Sequence, residues 1–212
     1  MDLKERIKTA LAAHVRVIME PGPVPAAVLI PLFPKQGEYH ILLTKRTEHL
    51  NHHRGEISFP GGRAEPDDTD LIQTALRETW EEVGIEPDDV EILGVLDDFY
   101  SIHNYLVTPC VGIYPADYPL RINDWEIERV LEVPLSHLLR PDIFRTEDWN
   151  WKGRQHPVHF YTFGNDEIWG LTAAILKQFL DLVFPGRLRS RRFPSNSNFI
   201  RNDAKKDHDP RL

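Results

Sequence analysis

Residues 71–83 fold as a helix only if something buries one side of it. Leu71, Ile72, Ala75, Leu76, Thr79 and Val83 recur at three- and four-residue steps, the period of a single helix face. Gly84 follows the last periodic residue, where helices commonly stop. The opposite side carries Glu78, Glu81 and Glu82 within "RETWEEVG". On a helix these three are neighbours one turn apart, and like charges at that spacing cost roughly 0.2–0.5 kcal/mol per pair. A solvated acidic face tolerates such a cost. The segment that precedes the helix points to something more specific.

That segment is "FPGG", Phe59 to Gly62. A strand end, a proline and paired glycines set a tight turn where backbone can approach a ligand. The three carboxylates then face a loop with accessible amides and carbonyls. Clustered carboxylates with backbone oxygen are hard ligands, suited to Mg²⁺ or Mn²⁺. Such ions can clamp a diphosphate and activate water. A bound cation would offset the repulsion within the acidic turn.

The rest of the chain bounds this reading. Its 212 residues are 41% hydrophobic and 27% charged, which suits one globular domain with a tail. The net charge of −8 argues against a general nucleic-acid binder. A small anionic substrate is still allowed, because a metal supplies local positive charge. The single cysteine, Cys110, sits in the apolar run "YLVTPCVGIY" and reads as a buried apolar residue in a reducing, cytoplasmic setting. No run approaches the ~18 apolar residues of a membrane span. The N-terminus lacks a signal-peptide apolar core, and the closing "PRL" is read as chance rather than as a peroxisomal address.

Along the chain, a helix is expected over residues 3–17. Strands are expected over residues 25–33 and 39–46, around the turn "PKQGE". "VEILGVLDDFY", "YLVTPCVGIY" and "EIERVLEVPL" are further strands, and "SHLL" adds a helical turn. A hairpin forms around "WKGRQ", and residues 168–184 make an amphipathic helix. Residues 185–212 read as a flexible polar tail, its arginines solvated. Helices separated by more numerous strands indicate an α/β sandwich, a mixed sheet between helices.

"GRAEPDDTDLIQTALRETWEEVGI" resembles the signature of the Nudix hydrolases, in a box over residues 62–85. Gly62, Arg77, Glu78, Glu81, Glu82, Gly84 and Ile85 match it. Thr79 stands where an aliphatic residue is usual, and Asp68 where the first Glu is expected. One extra residue lies between Asp68 and Arg77. Upstream, "LLTKRTEHLNHHRGEISFPGG" resembles the coenzyme A motif of the coenzyme A pyrophosphatase branch, with Leu42, Leu43, Thr44, Arg46, Gly55 and Phe59 to Gly62 in register. Thr47 replaces Ser or Ala, and Asn51 replaces an Arg, with His53 and Arg54 nearby as alternative cations.

The resemblance implies a Nudix fold over residues 1–184 and a Mg²⁺- or Mn²⁺-dependent diphosphatase. Its favoured substrate is coenzyme A. Other diphosphates (ADP-ribose, a dinucleotide, an oxidised nucleotide) stay open, as does a catalytically silent nucleotide sensor. Glu78, Glu82 and Glu81 with the Gly61 carbonyl would hold metal, and one of the glutamates would act as base. Arg77 would orient a helix glutamate. Arg46, Arg54 and Gly62 would bind substrate. The five tryptophans read mostly as core or hairpin residues, with stacking of Trp125, Trp149 or Trp151 on adenine left open. His52 and His53 read as solvated loop, since neither has a partner at ligand spacing. Asp97 and Asp98 read as turn acids with a role in metal or substrate binding left open. Neither nucleic acid nor membrane is expected as a partner, and the oligomeric state is open, a homodimer included.

Overall fold

Most of the apolar runs become strands gathered around one central member. A computed structural model describes residues 2–20, 24–48, 55–151, 153–187 and 191–194. Helix α1 (Leu3–Ala13) precedes strands β1 (Val24–Lys35), β2 (Glu38–Arg46), β3 (Ile57–Ser58) and β4 (Gly61–Arg63). Helix α2 (Leu71–Val83) follows, then β5 (Glu91–Val95), β6 (Phe99–Tyr100), β7 (Tyr105–Ile113) and β8 (Ile127–Pro134). The short helix α3 (Leu135–Leu138) leads to β9 (Phe144–Trp151), β10 (Arg154–Phe163), β11 (Asp166–Trp169), helix α4 (Gly170–Val183) and β12 (Arg191–Pro194).

The main sheet runs β3-β2-β1-β7-β5. It is mixed, because β1 and β7 are parallel while β2 and β4 run antiparallel to β1. The β1–β2 turn has positive φ at Gln36 (53°) and Gly37 (84°), the geometry that matches strand twist in two-residue hairpins. Further back, β4 takes the place of β2 along β1, pairing Gly61 with Val28 and Gly62 with Ala27. The amide of Leu29 donates to the Pro60 carbonyl at 2.9 Å between the two pairings. The "FPGG" turn is thus stitched to the central strand.

Side chains of β1 alternate between two layers. Ala27 and Leu29 meet Leu71, Ile72, Ala75 and Leu76 of α2, with Cys110 beside them. Ala26, Ile30 and Leu32 face the other way, into the core that holds Ile7 and Leu11 of α1 and Ile175, Leu176, Phe179 and Leu180 of α4. A second sheet, ordered β11-β10-β9-β12, lays Phe144, Tyr161 and Ile168 on that same core. Arg129 of β8 ties the two sheets through Asp166 of β11 at 2.5–2.6 Å.

Several expected boundaries move. The first helix stops at Ala13, and residues 14–20 carry no regular secondary structure, as suits the β-branched Val15, Val17 and Ile18. Their anchors are Asp97 and Asp98, so those acids do structural work. Asp97 accepts from the Val17 amide and pairs with His14, both within 2.8 Å, and also accepts from Gln178. Asp98 accepts from Arg16 at 2.5 Å, Thr108 at 2.6 Å and the Met19 amide at 3.1 Å. The last long helix starts at Gly170, because Ile168 and Trp169 finish β11. Arg191–Pro194, expected within the flexible tail, forms β12 parallel to β9. Residues 195–212 lie outside the described residues.

Ile30 is fully buried in the core that α1 and α4 share with the main sheet. Ile30→Ala should lower the unfolding free energy in urea by roughly 2–5 kcal/mol. A loss under about 0.5 kcal/mol, the range of a surface change, would contradict this packing.

Candidate active site

Helix α2 is held at both ends. Asp70 is its N-cap and accepts from the Gln73 amide at 2.8 Å, while Gln73 accepts from the Thr69 amide at 2.6 Å. This reciprocal arrangement satisfies amides that the first turn leaves free. At the other end Gly84 takes the left-handed conformation, φ 74°. A Cβ there would lie 2.7 Å from the Arg121 Cβ. The strand of chain that passes so close uses its own amides as caps. Arg121 donates to the Val83 carbonyl and Asn123 to the Glu82 carbonyl, both at 2.9 Å. Thr79 sits on the buried face, where its hydroxyl donates to the Ala75 carbonyl at 2.6 Å. With its polar group satisfied inside the helix, it packs as the apolar residue it replaces.

Arg77 joins helix to loop. Its Nε and Nη2 grip Asp68 at 3.0 and 3.1 Å. Nη2 also reaches the Arg63 carbonyl at 3.0 Å, and Nη1 donates to Glu78 at 3.0 Å and Glu81 at 3.2 Å. Asp68 accepts in addition from Thr74 at 2.8 Å and from the Glu65 amide at 2.9 Å. The Arg77 guanidinium, against a smaller opposing effect of burial, holds the Asp68 carboxyl down at about 2. The residue that departs from the family pattern therefore makes a complete bidentate pair.

The three helix glutamates occupy different environments. Glu81 is on the rim, its side chain 45% exposed. Glu78 is mostly buried and lies over Gly62, where an added Cβ would come within 2.5 Å of its carboxyl. Burial pushes Glu78 up, opposed by Arg77. Glu82 is buried at 3% exposure. Its Oε1 accepts from Arg46 at 3.4 Å, and its Oε2 has no hydrogen-bond partner among the described residues. Burial drives Glu82 up to about 8, with Glu78 and Glu126 adding to the rise and Arg46 and the Gly61 amide opposing it. Gly61 has φ 154°, and a Cβ there would meet the Ala27 carbonyl oxygen at 2.3 Å. Close strand pairing thus excludes a side chain at 61, and one at 62 would push the Glu78 carboxyl from its place.

The structure brings together Glu78, Glu82, Gly61, Gly62, Arg46 and Arg77, with Glu81 at the edge. It adds Glu126, which lies 3.6 Å from Arg46 Nη2. Sequence spacing gave no reason to choose Glu126 over Glu128 or Glu132. Only the pairing of Arg46 with Ile127 across β2 and β8 carries it to the site. Arg46 itself faces carboxylates rather than open solvent. Trp149 packs against Phe160 and Trp169, with centroids within 5.9 Å. Trp125 is exposed beside Glu126. Asn51, His52, His53, Arg54 and the Trp151 side chain lie outside the described residues.

A divalent cation fits this set. Glu82 presents a buried carboxylate oxygen without a hydrogen-bond partner among the described residues, and the Glu78 carboxyl lies against the bare Gly62 backbone. Among the described residues no three His, Cys, Asp or Glu side chains converge tightly enough to enclose a metal alone.

The NUDIX domain family model matches residues 23–152. Relatives bearing the name "Uncharacterized Nudix hydrolase NudL" from Yersinia pestis (strain Pestoides F) and Yersinia pseudotuberculosis serotype O:1b (strain IP 31758) are 43% identical over 158 residues, covering 74% of this chain and 79% of theirs. Among solved structures, a MutT/nudix family protein from Enterococcus faecalis is 16% identical with TM-score 0.48, covering 86% of this chain and 70% of that one. A C. elegans Ap4A hydrolase binary complex is 21% identical with TM-score 0.45, covering 55% and 83%.

The Asp68–Arg77 pair has a pH signature. A carboxyl whose folded pKa is depressed stabilises the fold above its unfolded pKa, near 4, and loses that contribution as pH falls through about 2. Asp68→Asn should therefore cost roughly 2–3 kcal/mol at neutral pH. The gap to wild type should close as the pH is lowered toward 2. Equal melting of the two proteins at neutral pH would show that the pair does not hold the loop.

Proposed function

Because the chain belongs to the Nudix family of hydrolases, which act on nucleoside diphosphate derivatives, we propose that its own substrate is coenzyme A or a coenzyme A thioester. The products are 4′-phosphopantetheine and adenosine 3′,5′-bisphosphate. One observation carries this choice. Both ends of the coenzyme A motif arrive at the acidic centre: Arg46 at the end of β2 contacts Glu82 and Glu126, and Gly61 and Gly62 of β4 lie beneath Glu78 and Glu82. Within the motif, Thr44 and Ser58 pair across β2 and β3, which fixes how its two arms leave the sheet.

Glu78 and Glu82 would hold Mg²⁺ or Mn²⁺, with the Gly61 carbonyl, Glu81 and Glu126 as the further oxygens in reach of the site. Bound there, the ion supplies charge neutralisation for the diphosphate and a more acidic water. Arg77 keeps Glu78 and Glu81 aimed from the helix. Arg46 spans Glu82 and Glu126 and places its positive charge between the two carboxylates. The water proton goes to a glutamate of this group. The oxygen between the two phosphorus atoms leaves with one phosphate as water adds to the other. A cytoplasmic setting suits the one cysteine, Cys110, which is buried and whose thiol burial pushes up to about 12.

Asn51 favours a second reading, a Nudix hydrolase of ADP-ribose or a dinucleotide, because it removes a cation that a 3′-phosphate would use. The measurement that separates them is kcat/KM for coenzyme A, 3′-dephospho-coenzyme A and ADP-ribose. Coenzyme A should lead dephospho-coenzyme A by a modest margin, and Asn51→Arg should widen it by about one to two decades, the worth of one charge-assisted contact. A wild type that prefers ADP-ribose would overturn the coenzyme A assignment.

The metal role is tested separately. Exhaustive chelation should abolish hydrolysis, and Mg²⁺ or Mn²⁺ should restore it. Glu82→Gln keeps shape and removes charge, and it should cost roughly 3 kcal/mol of transition-state stabilisation, about a hundredfold in rate. Activity within twofold of wild type would remove Glu82 from the ligand set.

A further inference from the structure

Glu126, Glu128 and Glu132 lie at the start of β8 or on it, and two of them have a lysine of their own. Lys45 pairs with Glu128 at 3.2 Å, and Lys35 pairs with Glu132. Among the described residues Glu126 has only the guanidinium of Arg46, at 3.6 Å, and shares it with Glu82. Its other side-chain contact is neutral: Asn123 donates from Nδ2 to its Oε1 at 3.4 Å. Glu126 is nonetheless close enough to the acidic centre that its charge pushes up the carboxyls of both Glu78 and Glu82. An acid held in such company without its own counter-charge gains from any cation that the centre binds.

A turn built around Asn123 keeps Glu126 in that place. The Asn123 amide donates to the Glu82 carbonyl at 2.9 Å. Its carbonyl accepts from the Glu126 amide at 3.0 Å and from the Ile127 amide at 2.9 Å. Its Oδ1 accepts from the Trp125 amide at 3.2 Å, the local bond of an Asx turn. A backbone amide can only donate, so Oδ1 is fixed on that side and Nδ2 is left to face Glu126. Thr47, buried just past β2, clamps the turn from across the sheet. Its amide donates to the Glu126 carbonyl at 2.8 Å and its hydroxyl to the Trp125 carbonyl at 3.0 Å. Asn123 thus touches both acids, Glu82 through its backbone and Glu126 through its side chain.

We propose that Asn123 is a positioning residue of the divalent-ion site, whose side chain holds Glu126 toward Glu82 so that Glu126 supplies a carboxylate oxygen from outside α2. The proposal rests on the metal-dependent reading of the acidic centre and does not require that the substrate be coenzyme A. Asn123 itself does not touch the ion. It acts by fixing in advance a side chain that would otherwise lose rotamer freedom when the ion binds. Partners that orient a metal ligand in this way are commonly worth roughly 10–100-fold in affinity.

Calorimetric titration of the full chain with Mn²⁺ alone tests it without any turnover. Asn123→Ser keeps the backbone cap on Glu82 and a hydroxyl that can accept from the Trp125 amide, but it is too short to reach Glu126. It should weaken Mn²⁺ binding by roughly tenfold. Glu126→Gln should weaken it at least as much. The double variant should bind no more weakly than Glu126→Gln alone, because Asn123 acts through Glu126. Melting curves on the same samples show that each variant is folded. Should Asn123→Ser fail to fold, Asn123→Asp keeps the Asx turn, replaces the donor with a like charge, and takes its place in the same comparison. Mn²⁺ affinity within about twofold of wild type in the folded Asn123 variant, or in Glu126→Gln, overturns the proposal. So does an equal loss from the Asn123 change with and without the Glu126 carboxylate, which marks a purely structural cap. A wild type that binds no Mn²⁺ removes the metal reading and the proposal together. Binding that depends on Glu82 but not on Glu126 removes the proposal alone.

Discussion

Arg77 uses its guanidinium to hold a loop, a helix and two carboxylates in one plane of contacts. Asp68 and the Arg63 carbonyl belong to the loop that precedes α2, while Glu78 and Glu81 belong to α2 itself. Without that bridge the acidic turn has little to hold it against its own repulsion. Lysine would not replace it, because a point charge cannot meet Asp68 edge-on and reach three other oxygens in the fixed directions of a fork. Asp68, though a shorter acid than Glu, makes both contacts with the guanidinium.

Behind that bridge the site depends on close approach of backbones. Two glycines allow β4 to lie on β1 with Glu78 directly above, and a third, Gly84, lets residues 121–123 close the far end of the helix. The result is a buried carboxylate, Glu82, whose neighbours Glu78 and Glu126 disfavour its charge and whose one cationic partner among the described residues, Arg46, is shared and long at 3.4 Å. Leaving a buried charged oxygen without a partner costs several kcal/mol unless a proton or a cation neutralises it. A fold that retains this cost holds an incomplete site, one that binding of a divalent ion would complete.

Much of this was legible in the residues themselves. The helix over 71–83 with its Gly84 stop, the β1–β2 hairpin, the turn at "FPGG" and the buried Cys110 all follow from local patterning. What failed did so where partners are distant. Asp97 and Asp98 read as turn acids because the amides of Val17 and Met19 lie some eighty positions away. Glu126 was invisible because strand register, not spacing, places it. "GGR" read as a turn alone, since a three-residue strand built on two glycines has almost no strand propensity and forms only because β1 offers an unpaired edge. Trp169 was counted into a helix because an apolar run cannot show where β11 ends.

The family match ends at residue 152, but the physical domain does not. Residues 27 and 29 of β1 face α2 and the chemistry, while residues 26, 30 and 32 face α1, α4 and the inner side of the second sheet. A chain cut at 152 would keep each acid of the candidate site and lose α4, together with β10 and β11. Ile30, Leu32, Leu43 and Val111 would then form an exposed apolar face on the strands that carry the site. Stability and chemistry therefore occupy opposite faces of one strand. The C-terminal sheet and helix complete the core on one side of the main sheet, and α2 with its acids packs on the other.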